Sequence, residues 1–185
     1  TAVAELKWEK APAEDFETTV DLDIDGFIPA SYIANESERL NMYKRISAIA
    51  DADDLEDIRQ EFRDRFGDVP TVINNLLTVA LIKAKAPELY ITEITNGRAQ
   101  AFPGAAPLKK DEVRRKVFRI TLLGNAPVDT YRMLDMLRER NDELKFVNDK
   151  APYFLYAPVK PPVRLEDVRE SLMGLFDVLR GIMEQ

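Results

Sequence analysis

At Pro87 the hydrophobic period of this chain changes. Upstream, apolar residues recur every three or four positions in blocks bounded by helix breakers. Downstream, they alternate or cluster in short runs. Helical pattern first and strand pattern later points to an α+β fold rather than a doubly wound parallel sheet. The first block spans about Ser37 to Ala50, with Leu40, Tyr43 and Ile46 recurring and Met42 and Ile49 beside them. Asp51 to Asp54 then offers carboxylates that cap the next helix, whose stripe is Leu55, Ile58 and Phe62. Gly67 stops it, and Pro70 follows. The third helix is read over Thr71 to Lys85, with Val72, Leu76, Val79 and Ile82 inward.

On either side of this region the pattern is that of strands. Val20 to Ile24 alternates and reads as a half-buried strand, broken by Gly26 and Pro29. Tyr90 to Ile94 is read as a strand, Asn96-Gly97 as a hairpin turn, and Arg98 to Phe102 as its partner. Val117 to Leu123 is a further strand. A helix is expected to open at Ala126-Pro127 and run to about Arg140, with Val128, Tyr131, Leu134 and Leu137 inward. Leu144 to Val147 and Tyr153 to Tyr156 are short strands, and Pro158, Pro161 and Pro162 stiffen a linker. A last helix, Val163 to Met183, carries Leu165, Val168, Leu172, Leu175, Phe176 and Leu179. The expected architecture is a lead-in over 1–20 and one domain over 21–185. That domain has a helical part at about 36–86, then a small mixed or antiparallel sheet with packed helices and a C-terminal helix at about 89–185.

Composition narrows the chemistry. The 185 residues include neither Cys nor His, which removes thiolate nucleophiles, zinc–thiolate sites and the commonest general base. Acids number 33 against 26 bases, a net charge of −7, which lowers the expectation of nucleic-acid or anionic-lipid binding. No apolar run approaches the roughly 20 residues of a membrane helix, and no signal peptide is evident, so the cytoplasm is the expected compartment. The chain opens on Thr1 rather than Met and is expected to be a piece of something longer. No phosphate-binding loop of either common pattern is present. No cofactor, metal or catalytic residue is expected.

Four stretches invite a functional reading. Asp21-Leu22-Asp23-Ile24-Asp25-Gly26 imitates the start of a calcium loop, but Tyr32 stands where the bidentate Glu belongs, and the alternation equally suits a strand. Asp51, Asp53, Asp54, Glu56 and Asp57 could hold a cation or simply enrich a helix start in acids. Lys109, Lys110, Arg114, Arg115, Lys116 and Arg119 form a basic concentration that could touch nucleic acid or be a solvated edge. On the second helix, Glu61, Asp64 and Arg65 fall on a face roughly 90° from the apolar stripe. Spacing alone favours local pairing there, worth a few tenths of a kcal/mol, over a docking face.

The residues Ile28-Pro29-x-x-Tyr32-Ile33, then Arg39-Leu40-x-x-Tyr43-Lys44-Arg45-Ile46, then Glu61-x-x-Asp64-Arg65-Phe66-Gly67-x-x-Pro70 resemble the C-terminal (TRCF) domain of bacterial transcription-repair coupling factors. Leu76-Leu77, Leu81-Ile82-Lys83, Ile91 and Ile94 continue the likeness, which is specific from about 20 to 95. Ala2 to Lys7 is similar to the segment leaving the family's motor domain. The resemblance implies a non-catalytic domain of an ATP-driven DNA translocase that displaces stalled RNA polymerase and recruits nucleotide excision repair through UvrA. It implies that the domain masks the N-terminal UvrA-binding module of the same protein, with Glu61, Asp64 and Arg65 as the masking face. That implication reverses the preference that spacing alone gave. The remaining motif residues, Pro29, Tyr32, Arg39, Tyr43, Phe62, Phe66, Gly67 and Pro70, are read as structural: Phe62 and Phe66 pack, Gly67 and Pro70 end the helix, and Tyr32, Arg39 and Tyr43 fix the entry segment onto the first helix. Direct nucleic-acid binding through 109–119 remains the alternative, and no membrane partner is expected.

Overall fold

A computed structural model describes residues 16–97, 117–159, 162 and 164–185. The described residues form two compact units, one of Asp23–Lys85 and one drawn from those up to Leu22 and those from Ala86 onward.

The first unit is helical. Helix α1 (Glu36–Ser47) begins at Asn35, whose side chain accepts the Glu38 N–H at 3.0 Å. Helix α2 (Ala52–Phe66) is capped by Asp51, which accepts from Asp54 N–H at 2.9 Å, while Asp54 accepts from the Ala50 N–H at 2.9 Å. The acidic run is therefore partly used in satisfying free N–H groups at this helix start. Helix α3 (Thr71–Lys85) follows, its first turn received by the Pro70 carbonyl. The core is Ile28, Ile33, Met42, Ile46, Ile49, Leu55, Ile58, Phe62, Ile73, Leu77, Leu81 and Ile82, all buried. The α2 stripe lies where the spacing puts it. That of α3 is rotated: Ile73, Leu77, Thr78, Leu81 and Ile82 are buried, whereas Val72, Leu76 and Val79 are half-buried. This helix is apolar nearly all round, so periodicity cannot choose the inward side. On α1, Leu40 is 55% exposed and Met42 and Ile46 carry the packing.

Two glycines in this unit answer to backbone geometry. Gly67 ends α2 at φ 92°, ψ −163°, a region only glycine occupies at low cost. It is not the left-handed cap of a Schellman motif. Gly26 lies under α3, where an added Cβ would stand 2.9 Å from the Leu76 nitrogen.

The second unit holds a mixed sheet. Strand β1 (Thr19–Asp21) runs parallel to β2 (Ile91–Gly97); β2, β3 (Val117–Leu122), β5 (Tyr153–Tyr156) and β4 (Leu144–Val147) then pair antiparallel, in the order β1-β2-β3-β5-β4. The α+β expectation with a mixed sheet holds. One face is built from opposed apolar pairs: Ile94 with Ile120, Phe118 with Tyr156, Phe154 with both Ile120 and Phe146. A smaller buried group, Val117, Leu155 and Ala157, occupies the other face. Helix α4 (Thr130–Glu139) and helix α5 (Leu165–Arg180) complete the unit. Val168, Leu172, Leu175, Phe176 and Leu179 of α5 are buried.

Several boundaries differ from the reading of the sequence. β1 stops at Asp21, so Asp23 and Ile24 fall outside the ladder. β2 starts one residue late because Tyr90 sits at φ 59°, outside strand geometry. Asn96-Gly97 is not a two-residue turn: both residues stay in the ladder, opposite Phe118 and Val117. The proposed partner Arg98 to Phe102 lies outside the described residues, as do residues 1–15, the loop 103–107 and Leu165's side chain. α4 opens late because Asp129 caps it and Val128 instead bridges to Met183. Its inward side is Met136 with Met133 and Leu137 half-buried, while Tyr131 is 83% and Leu134 44% exposed.

Candidate functional site

The residues of the quoted motif gather in the helical unit. Tyr32 reaches over the end of α2, its ring 6.2 Å from Phe62 and 5.9 Å from Phe66 between centroids. Its hydroxyl stands 2.7 Å from the Gly67 carbonyl and 3.1 Å from that of Phe62, two acceptors at the helix's C-terminal end. Burial, with the negative charge of Asp68 behind it, holds the Tyr32 phenol above its ordinary value. Phe62 is fully buried and Phe66 half-buried. Pro29 receives the N–H groups of Tyr32 and Ile33, which forms the turn that delivers Tyr32. Arg39 donates to the carbonyls of Ile33 and Ala34 at 2.8 and 3.0 Å, fastening the approach to α1. Tyr43 accepts from the Ile28 N–H at 2.8 Å. These bonds tie the segment 27–35, with its turn at 30–32, to α1 and α2.

The polar face of α2 divides in two. Glu61 and Arg65 are joined, at 3.4 Å, one turn apart. Glu61 also pairs with Arg45 of α1, and Arg65 with Glu38 of α1 at 3.5 Å. Arg65 rests over the Phe66 ring at 4.8 Å and within 3.9 Å of the Met42 sulfur. Asp64 stands apart from this network; its side chain accepts from Gln60 at 2.9 Å and faces solvent. Reading the sequence missed Arg45 and Glu38 as members. The signal was available: they are seven residues, about two turns, apart on one side of α1.

The other stretches gather less. Among the described residues no three acids converge as a metal site. Of the basic concentration, Lys109 to Lys116 lie outside the described residues; Arg119 stands on β3 with its guanidinium 3.9 Å from the Tyr153 ring centre. No helix of the described residues is long and apolar enough to cross a membrane.

Comparison with known proteins places these features. The model of the TRCF domain matches residues 22–114. Over 85 residues, 46% of the chain, the sequence is 36% identical to the transcription-repair-coupling factor of Bacillus subtilis. Over 94 residues, 50% of the chain, it is 37% identical to that of Staphylococcus aureus. The matched stretch spans only 7% and 8% of those two proteins. A crystal structure of the C-terminal domain of transcription-repair coupling factor superposes with a TM-score of 0.61 at 18% identity, covering 90% of this chain and 94% of that one. At that identity the likeness speaks for the fold.

Proposed function

Because this chain belongs to the TRCF domain family, we propose that it is the regulatory and interaction domain of a transcription-repair coupling factor. In this reading the full-length protein is an ATP-driven DNA translocase that displaces stalled RNA polymerase and recruits nucleotide excision repair through UvrA. The chain itself supplies no catalysis. It packs against the N-terminal UvrA-binding module of the same protein and masks it at rest.

One observation carries the proposal. The motif Glu61-x-x-Asp64-Arg65-Phe66-Gly67 places charged side chains on an accessible face of α2 while its two Phe residues serve the packing beneath. Such a face suits a reversible contact. Partly exposed charges contribute orientation and specificity, and their pairs are weak enough to open when a competing partner or a motor stroke intervenes. A wholly apolar interface of the same size would be harder to release.

The test uses the full-length protein carrying Glu61→Ala, Asp64→Ala and Arg65→Ala together. The variant should capture UvrA more readily than the unaltered protein in the absence of DNA, because the module is no longer covered. Capture equal to that of the unaltered protein contradicts the masking role.

A further inference from the structure

Glu61 and Arg65 do not stand free on α2. One carboxylate oxygen of Glu61 meets Arg45 and the other meets Arg65, and Arg65 continues to Glu38. The four side chains form an open chain, Arg45–Glu61–Arg65–Glu38, in which Arg65 rests against Met42 and Phe66. They keep between 27% and 49% of their side-chain surface exposed. Pairs this wet add little to stability. Their effect lies in geometry. Glu and Arg are long and rotamer-rich, and fixing each at a new interface costs about 0.5–1.5 kcal/mol. Here both are already held before any partner arrives. The network carries two positive and two negative charges, so it has no net attraction for a partner of either sign. Asp64, outside it, keeps an uncompensated charge directed at solvent.

We propose that Arg45 and Glu38 are positioning residues for the docking face: they hold Glu61 and Arg65 in the arrangement that meets the partner. The proposal rests on the masking reading above. On docking, the network stays closed. The partner's cationic groups are received by Asp64, while the ordered Glu61–Arg65 pair supplies fixed acceptors and donors beside it.

The experiment titrates this chain with the separately expressed N-terminal module by calorimetry. Arg45→Met keeps the apolar stem and removes the guanidinium. It should weaken binding about threefold to tenfold, the equivalent of freeing one or two side chains. Arg45→Lys should recover part of the loss. In a Glu61→Gln background, Arg45→Met should change binding no further, a coupling that mere loss of fold strength would not produce. In the free chain, the Arg65 side-chain N–H resonance should shift on Arg45→Met. Unchanged binding, or tighter binding that marks Arg45 as a competitor for Glu61, overturns the proposal. Unaltered chain that binds, with a triple alanine variant that does not, keeps the masking face even when Arg45→Met is silent. Absence of binding by the unaltered chain removes both.

Discussion

Phe62 and Tyr32 show how the same short motif divides its labour. Phe62 has no exposed surface and touches Tyr32 and Phe66 through its ring. Phe62→Ala should therefore cost about 3–5 kcal/mol in denaturant unfolding, as other buried Phe truncations do. A loss below about 1 kcal/mol would contradict its place in the core. Tyr32 carries a pH signature. Its folded-state pKa lies above the unfolded one, through burial first and Asp68 second. The neutral phenol is what the fold favours, so this contribution is fully present below about pH 10 and fades as pH rises through the folded value. Tyr32→Phe should remove that part of the alkaline fall in stability; an identical alkaline slope in the variant would show that Tyr32 is not its source. The motif was legible because its residues sit at helix ends and turns, where chemistry is specific. The i,i+4 spacing within α2 reveals only the Glu61–Arg65 pair; the partners on α1 are found only by setting beside it the two-turn spacing of Glu38 and Arg45.

Among the elements, α2 was legible and α3 and α4 only in outline. Leu55, Ile58, Phe62 and Phe66 are the large apolar residues of an otherwise mostly charged helix, so a single stripe is possible. α4 offers two interleaved stripes at helical spacing, Tyr131 with Leu134, and Met133 with Met136 and Leu137. The second wins, because the Asp129 cap and the Val128–Met183 bridge fix where the helix begins and how it is turned. Met136→Ala should accordingly cost about 2–5 kcal/mol, whereas Leu134→Ala should stay within about 0.5 kcal/mol. Equal losses in a denaturant titration would mean that the helix is turned the other way. Asn96-Gly97 misled for a related reason: a strong local turn signal yielded to ladder bonds with β3, whose chain position is remote.

At the scale of the whole molecule, the helical unit is an excursion between two parallel strands. β1 leaves the sheet at Asp21 and β2 enters it at Ile91, and a parallel pair needs a crossover of this general kind. Counting helices before strands gave the α+β class, yet no periodicity says that a three-residue strand upstream of the helices belongs to the sheet after them. The fold is kept at 18% identity to the solved coupling-factor domain, whereas sequence likeness concentrates in residues 22–114, which include the helical unit and its motif. The most direct measurement is calorimetric titration of this chain with the N-terminal module, unaltered and with Glu61, Asp64 and Arg65 all changed to Ala. The account predicts salt-sensitive binding that vanishes in the variant while its cooperative thermal melt persists. Binding that survives the substitutions, or a melt that disappears with them, would contradict it.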